Sequence, residues 1–192
     1  LHLSVHSFPT RRSSDLTTEV AVISLNSVAY SESVRVAGDE MNEAVQRYIR
    51  DKFSILIGEN LAEKIKIQIG SAIPLDEPRT MRISGKNMVD GIPKTIEITD
   101  SDVRESIKEP VNQIVLAVRM ALEKTPPELV TDIANNGMLL AGGGALLNGL
   151  DQLIIKKSEI NVIVDEDPLT TVLRGTGFAM ENEKELESAF IN

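Results

Sequence analysis

The amino-acid sequence predicts an α/β fold. Three stretches carry that expectation: an alternating hairpin followed by an amphipathic helix in 17–53, a long helical stripe after residue 100, and a strand–glycine–helix–strand–helix run from 138 to about 180. Period-two alternation marks half-buried strands, and apolar recurrence at i, i+3, i+4 marks helices.

Taken in order, TTEVAVISL (17–25) alternates, with Val20, Val22 and Leu25 among its apolar positions. Asn26–Ser27 offers a turn, and VAYSESVRV (28–36) reads as the returning strand. Gly38–Asp39 opens a helix that gathers Met41, Ala44, Val45, Tyr48 and Ile49 on one face. ENLAEKIKIQIG (59–70) is ambiguous: Leu61, Ala62, Ile65 and Ile69 make a helical stripe, whereas Ile65, Ile67 and Ile69 alternate like a strand. MRISGK (81–86) and PKTIEIT (93–99) are short strands around a turn at Val89–Asp90–Gly91. Asp100–Ser101 is expected to cap a long helix striped by Val103, Ile107, Val111, Ile114, Val115, Val118 and Leu122, with Pro110 kinking it or lying near its first turns. TPPEL (125–129) starts another helix with proline in its first turn, and Asn135–Asn136–Gly137 should end it in a left-handed cap. A strand at 138–141, glycines at 142–144 and a helix over about 145–156 follow. INVIVDED (160–167) is a further strand, Pro168 begins a last helix to about Met180, and the charged tail after Glu181 reads as solvated.

Composition narrows the chemistry. Aromatics are 3% of 192 residues and Trp is absent, so the core must be aliphatic. No apolar run approaches the roughly 18 residues of a membrane span. A net charge of −9 argues against a nucleic-acid groove, which needs a basic face. The absence of cysteine removes disulfides and thiolate chemistry and fits a cytoplasmic protein. The opening LHLSVHSFPTRRSSDL (1–16) lacks a secretory apolar core. Its SFPTRRSSDL resembles translated adapter read-through, so 1–16 is expected to be non-native and is set aside in reading the fold. His2 and His6, the only histidines, lie there. The remainder has no Ser–His or Cys–His nucleophile and no His-ligated metal site.

MLLAGGGALLNGL (138–150) is the most informative stretch. Glycines between a strand and a helix allow positive φ and close backbone approach, and the first amides of the helix favour an anion. A phosphate-bearing ligand fits; a tight turn with no ligand fits as well. A dinucleotide fingerprint is matched by Gly142 and Gly144 but fails at Leu147, although Asp165 lies where a ribose-binding acid would stand. No Gly-Lys-Ser/Thr follows the glycines, which excludes a P-loop.

LLAGGGALLNGLDQLI, followed by DEDPLTTVLRGTGFAMEN, is very similar to the C-terminal signature of the MreB/Mbl family of rod-shape-determining bacterial actins. TTEVAVISL, VAGDEMNEAVQRYIRDKF, IGENLAEKIKIQIGSA, SGKNMVDGIPKTIEIT and LEKTPPELVTDIANNGMLLAGGG continue the resemblance across 17–183. It implies the second half of an actin-like (ribonuclease H-like) ATPase fold. A larger subdomain would comprise 17–58 and 101–183, a small inserted α+β subdomain 59–100, and 184–192 a tail. ENLAEKIKIQIG then resolves as helix. The family's E-R-I-K nucleotide motif reads Glu63, Lys64, Ile65, Lys66 here, and its G-G-A-L turn is intact as Gly143, Gly144, Ala145, Leu146. Lys64 in place of Arg keeps charge but changes a planar contact. Of the second phosphate loop, D-x-G-G-G-T-T-E, only Thr17, Thr18 and Glu19 remain.

The resemblance further implies ATP, with Mg²⁺ in the intact protein, self-association into head-to-tail filaments, and partnership with the cell-wall elongation machinery. Location would be cytoplasmic and peripheral to the membrane. This polypeptide alone is expected to bind nucleotide weakly and hydrolyse none. A small-molecule kinase or a chaperone-type ATPase of the same superfamily is the alternative, but no kinase acid motif and no substrate-binding domain is visible in 17–192.

Overall fold

A computed structural model of the protein describes residues 2–6, 17–25 and 27–182, the first of these as backbone. The expected hairpin is β2 (Thr18–Ser24) and β3 (Ser27–Val34), paired antiparallel with a register shift at Val22/Ile23. Helix α1 (Gly38–Phe53) follows, burying Met41, Ala44, Val45 and Ile49. β7 (Met138–Leu140) and β8 (Val162–Val164) pair in parallel, with α5 (Leu150–Ser158) between them. Together they belong to a five-stranded sheet of order β3-β2-β1-β7-β8.

β1 is His2–His6, part of the segment that the sequence reading set aside. It runs antiparallel to β2 and parallel to β7, with Leu3 opposite both Val22 and Met138. The physical reason is a backbone one. β2 and β7 each present a row of N–H and C=O groups, and an extended five-residue segment completes both ladders with little regard to composition.

The second sheet has the order β4-β5-β6: Ile55–Leu56, Thr80–Asn87 and Pro93–Thr99. It begins ahead of the expected boundary at residue 59. Between β4 and β5 lies α2 (Glu59–Ile69), so the ambiguous stretch is helical. Its Ala62, Ile65 and Ile69 are buried at i, i+3 and i+7, while Ile67 is 71% exposed.

Helix α3 (Asp100–Lys124) passes between the two units and runs through Pro110. Thr99, not Asp100–Ser101, is its N-cap: the Asp102 amide donates to Thr99 Oγ1 at 3.2 Å, and the Thr99 amide donates to Asp102 Oδ2 at 2.9 Å. The helix buries Val103, Ile107, Val111, Ile114 and Val118. The resulting core is aliphatic and continuous from Val20 and Val22 through Ile49, Ile65 and Ile107 to Leu140 and Ile154. Each fully buried side chain of this size contributes about 1.5–3 kcal/mol.

Two helix ends depart from expectation. α4 (Pro127–Asn136) ends at Gly137 with positive φ, but its ψ of −171° is extended rather than left-handed helical. The helix expected from 145 begins at Leu150; Gly143–Leu146 is a single 3₁₀ turn. Gly149 separates them with φ 74°. The last helix, α6, is Thr171–Glu181, three residues later than Pro168. Asn26 and the tail lie outside the described residues, apart from Asn182.

Candidate functional site

A cleft of about 370 Å³ opens between the small subdomain and the glycine turn, within the range of small-molecule sites. One wall is α2, contributing Glu63, Lys66 and Ile67. Facing it is the turn, with Gly143, Gly144, Ala145 and Leu146. Ala37, Gly38 and Met41 enter from the start of α1, and Thr18, Ile114, Leu140, Leu150 and Leu169 complete the lining.

The two motifs singled out in the sequence therefore meet across one cavity, though not residue for residue. Ile65 is fully buried and belongs to the core. Lys64 is exposed and outside the lining. The i, i+3 spacing of Glu63 and Lys66 brings both to the cleft. Lys66 Nζ donates to the Gly38 carbonyl at 3.0 Å, tying α2 to the first turn of α1. Of the phosphate-loop remnant, Thr18 lines the cleft and donates from Oγ1 to the Val36 carbonyl at 2.6 Å; Thr17 and Glu19 are outside the lining.

The glycines differ in what they do. Gly142 has φ 85° and ψ 175°, a conformation that a side chain would strain, and its amide donates to the Pro168 carbonyl at 2.8 Å. Gly143 and Gly144 have no positive φ. A Cβ on Gly143 would touch only Leu169, at 3.7 Å, and one on Gly144 would meet no atom within 4 Å. The fold does not require glycine at 144, and the residue lines the cleft.

The helix terminus at the cleft also differs from expectation. α5 begins only at Leu150, not directly behind the glycines. α1 presents Gly38 instead, and its N-cap Ala37 supplies no side-chain cap. Nothing in the sequence marked Gly38, Ile67 or Leu169 as cleft residues. Ile67, Leu146 and Leu169 are apolar yet 71%, 59% and 56% exposed, and all three line the cavity. The dinucleotide alternative loses its acid: Asp165 Oδ1 accepts from the Asp167 amide at 2.9 Å and from Arg174 at 2.8 Å, and the amide above all holds its carboxyl below the usual range.

The sheet, the inserted α+β unit and the cleft between them define the second half of an actin-like fold. MreB5 of Spiroplasma citri bound to ADP superposes with a TM-score of 0.89 and 32% identity, over 96% of this chain and 54% of that one. The MamK double helical filament shares the fold, with a TM-score of 0.75 at 19% identity over 94% of this chain and 54% of that one. A family model described as MreB/Mbl protein matches residues 15–188. The chain belongs to the MreB/Mbl family. It is 51% identical over 165 residues to the cell shape-determining protein MreB of Escherichia coli, covering 86% of this chain and 48% of that protein. The cell shape-determining protein Mbl of Bacillus subtilis is 41% identical over 170 residues, covering 88% and 51%. The chain thus spans about half the length of the curated relatives it matches.

Proposed function

We propose that this chain is the nucleotide-gripping second half of a cell-shape-determining bacterial actin homologue that binds ATP and polymerises into filaments. The observation that carries the reading is Gly144: glycine stands where neither φ nor packing demands it, on the wall of a cavity sized for a small molecule. Close backbone approach to a ligand accounts for that choice. Ile67, Leu146 and Leu169 offer apolar surface for a base. Glu63 can accept from ribose hydroxyls, and Lys66 and the N-terminus of α1 supply positive potential for phosphate.

The rest of the proposal follows from kinship. ATP binding by two halves of an actin-like molecule would favour the closed, polymer-forming conformation through its differential affinity for the two states. Head-to-tail self-association, slow hydrolysis with Mg²⁺ on the phosphates, cytoplasmic filaments peripheral to the membrane and partnership with wall-synthesis enzymes belong to that whole molecule. Among the described residues no three His, Asp or Glu side chains converge to hold a metal, and no helix is long and apolar enough to cross a membrane.

Calorimetric titration of the chain with ATP tests the grip. Weak saturable binding that Lys66→Met diminishes is expected; absence of any binding at millimolar ATP overturns it.

A further inference from the structure

The two jaws of the cleft are joined behind the cavity. α2 ends at Ile69, and the chain then runs through Ser71–Ile73 directly against the residues that follow the glycine turn. The Ala72 amide donates to the Asn148 carbonyl at 2.8 Å, and Ser71 forms a parallel bridge with Asn148. Gly149 lies so close to Ile73 that a Cβ there would come within 2.4 Å of its Cγ1.

From the other side, Arg104 of α3 grips the same segment. Its Nη1 donates to Ser71 Oγ at 3.2 Å and lies 3.4 Å from the Ile73 carbonyl. The guanidinium is itself anchored to Asp100 Oδ2 at 2.8 Å, and Asp100 Oδ1 accepts from the Arg79 amide at 3.1 Å. Ser71 is fully buried and Asp100 nearly so. All three contacts converge on one nitrogen, Nη1, so the carboxylate, the hydroxyl and the carbonyl are gathered around a single corner of a planar cation.

We infer that Arg104 is a positioning residue for the cleft: acting through Ser71 and Ile73, it fixes the α2 jaw, with Glu63 and Lys66, relative to the Gly143–Leu146 jaw. The inference rests on the nucleotide reading for its ligand but not for its geometry. Arg104 itself is absent from the cleft lining. Its removal therefore changes the spacing of the jaws and leaves the ligand-facing groups in place.

The chain has no cysteine, so Gln68→Cys and Gln152→Cys give one label pair spanning the jaws. Pulsed electron resonance then reads the distance between them, calorimetry reads ATP affinity, and thermal melting reads the fold. Arg104→Met is expected to broaden or shift the distance distribution and weaken ATP binding at least threefold. Arg104→Lys, which keeps a cation beside Asp100 but not the planar group that fixes Nη1, should fall between. Ser71→Ala removes one link without stranding a charge, and serves if Arg104→Met melts below the assay temperature. Unchanged distances in the folded variants overturn the inference, whatever their melting points. If the parent chain binds no ATP, the nucleotide reading fails, while the distances still decide what Arg104 does.

Discussion

Replacing Gly144 by alanine separates the requirements of the fold from those of the ligand. The position is in a 3₁₀ turn without positive φ, and an added Cβ meets no heavy atom within 4 Å. The substitution therefore introduces no clash or backbone strain in the free protein, and it restricts the unfolded chain. Gly→Ala at such a compatible site stabilises by about 0.4–1 kcal/mol. For a chain of this size, roughly 2–4 °C of melting temperature accompany each kcal/mol, so a rise of about 1–4 °C is expected. ATP affinity should move the other way. The new methyl occupies space that the bare backbone leaves to the ligand, and losing about 1.4 kcal/mol of contact weakens binding tenfold. Differential scanning calorimetry and titration calorimetry on one preparation measure both. A lowered melting point would refute the claim that the fold tolerates a side chain here. A raised melting point with unchanged ATP affinity would refute the claim that the ligand lies against this backbone. Gly142→Ala is the control of opposite sign, because its φ of 85° makes a side chain strained, at a cost of about 1 kcal/mol or more.

Ile65→Ala should cost about 2–5 kcal/mol, as large-to-small changes in a core do, while the ATP affinity of the folded molecules stays near that of the parent; urea titration with calorimetry checks this. Acid sensitivity should centre on Asp100 and Asp102. Burial pushes both carboxyls up, but Arg104 and the Arg79 amide for the first, and Lys52 and Thr99 for the second, bring them below their ordinary value of 3.8. Their stabilisation is therefore complete above that value and is lost as pH falls through the lowered folded-state values. Urea midpoints measured from about pH 5 downward should decline, and Asp100→Asn should flatten the decline. Leu173→Lys, at a side chain 58% exposed on α6, should change the stability of this chain by no more than about 0.5 kcal/mol, read from the same melts.

The hairpin, α1, the striped α3 and the alternating strands of the small sheet were legible because each has one dry face and a period to match. ENLAEKIKIQIG resisted because Ile67 imitates strand alternation; it lines the cleft rather than the core, and periodicity cannot distinguish those places. The late start of α5 follows from Asn148–Gly149, a turn dipeptide inside an otherwise helical pattern. The glycine turn was legible locally as a place for an anion, but its pairing with Glu63–Lys66 only through family resemblance, since nothing local announces that residues 80 positions apart face each other. Gly38 and Leu169 were not legible at all: their place at the cleft is set by how α1 and the 168–170 turn pack, which no local pattern encodes. The central place of β1 has no signature in its own residues because it comes from two waiting backbone edges.

That sheet order has a consequence for synthesis. Leu3 is paired on one side with Val22 but on the other with Met138, so the centre of the sheet is completed by residues that leave the ribosome long after their partner. At about 5–20 residues per second the interval is roughly 7–27 s. Throughout it a newly made hairpin carries a bare hydrogen-bonding edge beside unfinished aliphatic surface, the combination that recruits other nascent chains. The vulnerable species of this protein is therefore one still being translated, and its yield should depend on elongation speed and on holding chaperones more than on the melting point of the finished fold.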